Sequence, residues 1–160
     1  MAAAIGWVPE LGGVFADLSV LDNVTRPPFV PAVAEDLALD ALDLLGLGAR
    51  LQDSAGALST GERRRVALAR AIARRAPLLV IDGNLDATLA PLLPAILNVL
   101  PHVRGVLTAG CTADEWAWRA DAVVLVDDAR AVCQAPLGEL IDSRDPSVRS
   151  VITWVMPRVD

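Results

Sequence analysis

The chain has 160 residues, of which 54% are hydrophobic, and a formal net charge of −6 at pH 7. This length and apolar content suit one domain with a buried core, and the negative charge argues against general nucleic-acid binding. Mean hydropathy is high, at +0.45, yet the densest apolar runs, 78–81 and 122–126, fall far short of the roughly 18 residues that a membrane-spanning helix needs. No basic residue precedes the short apolar start, so a secretory signal is not expected.

The first part of the chain predicts a strand, a short helical turn and an amphipathic helix. The strand covers residues 4–8 and is cut by Pro9, and the helical turn covers 18–24. Three prolines within 26–31 exclude regular structure there, because proline removes a backbone donor and fixes φ. Leucines and alanines between acids predict a helix over 35–45, which the following glycines end.

A capping box marks the next helix with the sharpest boundary in the sequence. Ser59 is followed three residues later by Glu62, which predicts a helix that starts at Thr60 and runs to about Arg75. Pro77 then introduces an apolar strand over 78–81.

The rest of the chain continues the alternation. Further elements are predicted in this order: helix 87–100 with two early prolines, strand 105–108, helix 113–119, strands 122–126 and 130–133 joined by a turn, and helices near 137–141 and 147–154. Continuous apolar strands alternating with helices predict an α/β fold with a mostly parallel sheet covered on both faces.

The arginine, lysine and cysteine content limits the kinds of binding site that the chain can contain. Six arginines crowd the helix that starts at Thr60, and a solvated basic face is the plain alternative to anion binding there. The chain has no lysine, so the phosphate-binding motif Gly-x-x-x-x-Gly-Lys-Ser/Thr cannot occur in it. The two cysteines, Cys111 and Cys133, fit no metal-ligand spacing and predict reduced thiols.

Residues 58–71, followed by an apolar strand that ends in Asp82, resemble the signature helix and Walker B strand of ATP-binding cassette (ABC) ATPases. The residues that match the family signature are Leu58, Ser59, Gly61, Arg63, Arg64, Ala69, Arg70 and Ala71, whereas Thr60 and Glu62 depart from it. A helix N-terminus with free N–H groups suits a phosphate. The resemblance implies that Ser59, Thr60, Gly61 and Glu62 contact a nucleotide gripped by a partner subunit.

Other family motifs follow in the right order over about residues 5–141, with several losses. Asp86 matches the acid of the D-loop, and Asp82 matches the acid that holds Mg²⁺ when a partner supplies the phosphate loop. The Q-loop glutamine is replaced by Glu10, the catalytic glutamate by Gly83, and the switch histidine by Ala109. The single histidine, His102, is interpreted as a helix-end or loop residue.

The resemblance implies a partial P-loop-type ATPase core of the ABC class with a helical signature subdomain. It divides a single domain into a Q-loop and helical region (10–75), a Walker B, D-loop and switch region (76–141), and a C-terminal helix (142–160). The antiparallel β-subdomain, the P-loop strand and its helix have no counterpart in this sequence.

Three functional hypotheses follow from the resemblance. The first is a degenerate subunit that does not hydrolyse ATP alone, completes the ATP and Mg²⁺ site of an intact ABC ATPase, and docks on a membrane permease through residues 10–45. Such a protein would be an oligomer in the cytoplasm, peripheral to the inner face of the cell membrane. The second is one half of a split ATPase whose P-loop half lies elsewhere, because loss of an inner strand leaves unpaired edges. The third is a scaffold or regulator that binds no nucleotide.

Aromatic residues near the C-terminus are interpreted as packing residues. Trp116, Trp118 and Trp154 are expected in the core or in a subunit contact rather than on a ligand platform. Residues 144–160 form either an amphipathic tail for a partner or, in preference, a helix packed on the core.

Overall fold

The computed structural model describes residues 5–29, 31–83, 89–110 and 120–155, with the backbone alone for 127 and 151–155. Their contacts divide the chain into two compact units, Met1–Ala109 and Gly110–Asp160. The prediction of a single domain is not tested by this division and stays a prediction.

The elements follow one another as the sequence pattern predicts. The first unit contains, in chain order, β1 (Ile5–Val8), α1 (Val20–Thr25), α2 (Glu35–Leu44), α3 (Thr60–Ala73), β2 (Leu78–Asp82), α4 (Leu93–Val99) and β3 (Gly105–Ala109). The second contains β4 (Val123–Asp127), β5 (Arg130–Ala135), α5 (Leu137–Ile141) and α6 (Pro146–Val155). Short 3₁₀ turns lie at Gly48–Arg50, Ala55–Ala57 and Ala90–Leu92.

The first unit is built on a parallel sheet in the order β1–β2–β3. Val8 pairs with Ile81, and Ile81 with Thr108. One face of this sheet lies against α3: a Cβ added to Gly6 would stand 2.4 Å from the Cβ of Ala71. This close approach explains the glycine, since any side chain on β1 at that position would push the helix away. The predicted α/β class and parallel pairing are confirmed.

The opposite sheet face differs from the prediction that both faces are covered. Ile5 is 56% exposed, Trp7 61% and Leu107 54%. Within the described residues, the sheet is therefore well covered on the α3 side and largely open on the other.

The helix predicted over 87–100 begins later than expected. The structure has a 3₁₀ turn at Ala90–Leu92 and then α4 from Leu93. Pro91 and Pro94 fall in the first turns of these two elements, where a missing N–H costs nothing, and this explains the delayed start. The helix predicted over 113–119, with Trp116 and Trp118, lies outside the described residues.

The second unit contains a β-hairpin and two helices. β4 and β5 pair antiparallel through a turn at Asp128 and Ala129, whose φ angles of 45° and 57° are those of a primed hairpin turn. Leu125, Leu140 and Val148 form its buried cluster, so the start of the C-terminal helix packs on the hairpin as expected. The side chain of Trp154 lies outside the described residues. None of the described helices has the length and apolar content to cross a membrane.

Candidate functional site

The N-terminus of α3 has the capping box that the sequence predicts. Ser59 is extended, its Oγ accepts from the N–H of Glu62 at 3.3 Å, and Glu62 Oε2 accepts from the N–H of Ser59 at 2.9 Å. The Ser59 hydroxyl also donates to Glu62 Oε2 at 2.8 Å. The helix therefore begins at Thr60, with Ser59 and Thr60 exposed at its end.

An arginine from the preceding loop completes this cap. Arg50 donates from Nη1 to Glu62 Oε1 and from Nε to Asp53 Oδ2, the latter at 2.7 Å. The N–H of Ser59, followed by its hydroxyl and by Arg50, lowers the pKa of Glu62 to about 2. The Glu62 carboxylate is thus ionised at neutral pH and engaged on both oxygens. Sequence reasoning missed Arg50, because a lone arginine in a loop gives no pattern.

Two backbone amides at this helix end fit an anion. The N–H groups of Thr60 and Gly61 lie in the first turn, where no intrahelical acceptor exists. Among the described residues, they also have no other protein acceptor. Gly61 carries no side chain that would shield them. A phosphate oxygen is the type of group that such free amides bind.

The arginines within residues 63–75 do not form a solvated basic face, which is one of the two alternatives that the sequence leaves open. Arg64 is 3% exposed, and burial lowers the pKa of Arg70 and Arg74 from the ordinary value. Five guanidinium groups donate to backbone carbonyls: Arg63 to Gly56, Arg64 to Asp82, Arg65 to Leu45, Arg70 to Gly13, and Arg74 to Val24 and Pro31. These hydrogen bonds connect residues 63–74 to α1, to β2 and to loops, and of the six arginines within residues 63–75 only Arg75 is exposed.

The carboxyl edge of the sheet brings two of the predicted positions together. Asp82 and Ala109 are paired in register at the ends of β2 and β3, and both are exposed. The backbone carbonyl of Asp82 accepts from Arg64 Nη2 at 3.0 Å. Ala109 has no group for acid–base chemistry.

Glu10 lies over Gly83. A Cβ added to Gly83 would stand 2.8 Å from Cγ of Glu10, and Gly83 has a φ of +79°. The Glu10 side chain thus fills the space that a side chain at position 83 would need. The sequence showed two separate replacements at these positions but not that they are in contact.

Among the described residues, the candidate metal ligand at this sheet edge is the carboxylate of Asp82. No group of three His, Cys, Asp or Glu side chains able to hold a metal occurs among the described residues. Asp82 can offer one carboxylate to Mg²⁺, which commonly takes its remaining ligands from water and phosphates. Asp86 lies outside the described residues.

His102 lies in a turn after α4, in agreement with the sequence interpretation. Burial is the main cause that lowers its pKa, and the positive charge of Arg75 acts in the same direction. Cys133 is a free thiol, and Cys111 lies outside the described residues.

Comparison with known proteins places these features in a family. A family model described as ABC transporter matches residues 1–85. The molybdenum import ATP-binding protein ModC of Aromatoleum aromaticum is 36% identical over 148 residues, which are 88% of this chain and 39% of ModC. The lipoprotein-releasing system ATP-binding protein LolD of Novosphingobium aromaticivorans is 37% identical over 130 residues, 75% of this chain and 57% of LolD.

Solved structures show the same fold. CbiO1 of Clostridium perfringens, part of the ABC transporter complex cbiONQ, superimposes with a TM-score of 0.70 at 20% identity over 98% of this chain and 65% of its own. A bacterial Atm1-family ABC exporter with ATP bound gives a TM-score of 0.76 at 21% identity over 98% of this chain and 29% of its own. The chain spans about 40% to 60% of the length of these curated relatives. With its family model covering more than half of the sequence, the chain belongs to the ABC transporter family.

Proposed function

We propose that this protein is a degenerate ATP-binding subunit of an ABC transporter that contributes its α3 N-terminus to ATP held by an intact partner ATPase. The observation that carries the proposal is the free amide pair of Thr60 and Gly61 on an exposed, capped helix end. Ser59 and Gly61 at this end match the family signature, which acts across a subunit interface, whereas Thr60 and Glu62 depart from it.

The rest of the carboxyl edge supports a role without independent hydrolysis. Asp82 could hold Mg²⁺ together with a partner's phosphate loop, and it would then help to neutralise the phosphate charge. Gly83 and Ala109 stand where the family has a glutamate and a histidine, and neither can move a proton. Glu10 fills the space beside Gly83. We therefore expect the chain alone to bind ATP weakly and to hydrolyse none.

The subcellular setting follows from the same assignment. The ModC and LolD relatives are named as ATP-binding proteins of an import system and a lipoprotein-releasing system. By analogy, this chain would work in the cytoplasm, peripheral to the inner face of the membrane, with residues 10–45 against a permease. A split ATPase half and a scaffold that binds no nucleotide remain the alternatives to this role.

The test measures ATP hydrolysis by an intact ABC ATPase from the same cell, with and without the full chain. Two variants place a carboxylate at the proposed phosphate contact: Ser59→Asp, which retains an N-cap residue, and Gly61→Asp. Ser147→Arg, an exposed serine at the start of α6, is the control. We expect the chain to raise the rate of the partner, the two carboxylate variants to abolish at least nine-tenths of that gain, and the control to retain it.

Unchanged stimulation by Ser59→Asp and Gly61→Asp would refute the signature role. Binding of the full chain to the partner ATPase without any change in the partner's ATP binding or hydrolysis rate would favour the scaffold alternative. Hydrolysis by the purified chain on its own would contradict the assignment of Gly83 and Ala109 as losses.

A further inference from the structure

A cleft of about 160 Å³ lies between α3 and β1. Because β1 is the outermost described strand at this end of the sheet, residues of both its faces reach the cleft. One stripe of α3, at positions 67, 70, 71 and 74, forms the opposite wall. The apolar residues that line the cleft are Ile5, Gly6, Trp7, Ala67 and Ala71, and the charged ones are Arg70 and Arg74.

The two arginines of this cleft have no ionic partner among the described residues. Both are half-buried, and burial together with the positive charge of Arg74 lowers the pKa of Arg70. Their acceptors are backbone carbonyls, of Gly13 for Arg70 and of Val24, Pro31 and Arg70 for Arg74. The ion pairs of the described residues involve other arginines. Since charges taken out of water are ordinarily paired, the cleft has an excess of positive charge.

The shape and lining of the cleft define the kind of anion that it fits. A cavity of roughly 150 Å³ is large enough for a benzene ring. Apolar walls favour a ligand with an apolar body, because a fully hydrated ion such as phosphate would lose water along them without replacement. A carboxylate suits the guanidinium group, whose N–H groups form a planar fork. The ring of Phe15, whose centroid is 5.6 Å from Cζ of Arg70, stacks on this guanidinium and helps to hold it in place.

We propose that this cleft binds a small organic carboxylate, with its carboxylate at the guanidinium groups of Arg70 and Arg74 and its apolar body against Trp7. The ligand supplies the negative charge that the two arginines lack. The site lies in the C-terminal half of α3, away from the helix end at Ser59. The proposal therefore goes beyond the proposed function and does not depend on it.

The test uses the full chain and three small probes, with no nucleotide present. Benzoate is the carboxylate with an apolar body, benzamide is its neutral counterpart of the same shape, and inorganic phosphate is an anion without an apolar body. Two-dimensional NMR follows the backbone amide of Gly6 and the indole N–H of Trp7. We expect benzoate to shift both signals saturably, with a dissociation constant on the order of 1 mM, as is ordinary for a ligand of this size. Benzamide and phosphate should bind at least fivefold more weakly.

Variants of the lining residues distinguish this cleft from a general charge effect. Arg74→Gln and Trp7→Ala are expected to raise the dissociation constant of benzoate at least fivefold, as followed at Gly6. Arg75→Gln is the matched control, because it removes the same charge one residue further on from an exposed side chain that does not line the cleft. Urea unfolding of each variant checks its fold, and Trp7→Ala removes an exposed side chain, so its effect does not depend on the carbonyl bonds of Arg74.

Four results would overturn the proposal. The first is the absence of a saturable shift with benzoate. The second is binding of benzamide or phosphate as tight as that of benzoate, because the charge or the apolar body would then not be recognised. The third is an equal loss of affinity in Arg74→Gln and Arg75→Gln, and the fourth is unchanged affinity in Trp7→Ala. None of these measurements involves ATP, so they are independent of the signature role.

Discussion

At the residue scale, the side chain of Glu10 occupies the space that a side chain at position 83 would need. The φ of +79° at Gly83 is one that side chains disfavour, and Cγ of Glu10 lies 2.8 Å from the added Cβ position. A glutamate introduced at position 83 would therefore meet two obstacles, the backbone conformation and the side chain of Glu10.

We predict that Gly83→Ala lowers the free energy of unfolding by about 1–3 kcal/mol, from the disfavoured φ and the clash with Glu10. In a Glu10→Ala background, the loss should shrink by about 0.5–1 kcal/mol, because the contact with Glu10 Cγ is removed while the backbone contribution and the contact with Cβ, 3.2 Å away, remain. Urea unfolding of the four members of this double-mutant cycle measures the coupling. Additive effects of the two substitutions would show that the side chain of Glu10 is not in steric contact with position 83.

At the element scale, α3 depends on a carboxylate whose charge is part of its cap. The folded pKa of Glu62 is about 2, below its ordinary value of 4.5. A carboxyl group whose pKa is lower in the folded chain than in the unfolded chain stabilises the fold at pH values above the unfolded pKa. This contribution to the free energy of unfolding disappears as pH falls from about 4.5 towards about 2. The direction follows because the unfolded chain takes up the proton first.

We predict that Glu62→Gln destabilises the chain at pH 7 by about 1 kcal/mol, the usual value of a helix cap. The difference from wild type should shrink progressively at pH 4 and pH 2.5, where the wild-type carboxylate loses its advantage. Glu35→Gln is the control, since Glu35 opens α2 without a side-chain cap bond. A Glu62→Gln deficit that stays constant between pH 7 and pH 2.5 would contradict the role of the charge.

Sequence patterns predicted most elements because those signals are local. The capping box located the start of α3 to the residue, and apolar runs located β2 and β3. The positions of Asp82 and Ala109 at one sheet edge followed from the parallel topology. The contact of Glu10 with Gly83 and the Arg50 bond to Glu62 did not follow, because both depend on how loops return to the core. The roles of the α3 arginines were hidden for the same reason: their partners are backbone carbonyls far along the chain.

At the scale of the whole molecule, the described chain consists of two compact units with separate buried clusters. In the second unit, Cys133 is a free thiol packed against the cluster of Leu125, Leu140 and Val148. The thiol therefore reports on opening of this unit, since a reagent reaches it fully only when the cluster separates.

We predict that Leu140→Ala, measured in a Cys111→Ser background, destabilises the second unit by about 2–4 kcal/mol and speeds thiol labelling of Cys133 more than tenfold. Leu47→Ala is the matched control, because Leu47 is fully buried in the first unit. If the units unfold independently, this control leaves the labelling rate unchanged. Equal acceleration by both variants would instead support the single cooperative domain that the sequence predicted.

The hydrogen bonds from the guanidinium groups of the α3 region to distant backbone carbonyls also determine where a protease can cleave the native protein. Trypsin cleaves this chain only after arginine, since it contains no lysine. Five of the six arginines within residues 63–75 donate to backbone carbonyls of segments far along the chain, so the peptide bonds that follow them cannot enter a protease cleft unless the helix separates from its surroundings. Native digestion is expected first at exposed sites such as Arg104 and Arg144. The rate at which fragments ending within residues 63–74 appear then measures how often the first unit opens as a whole.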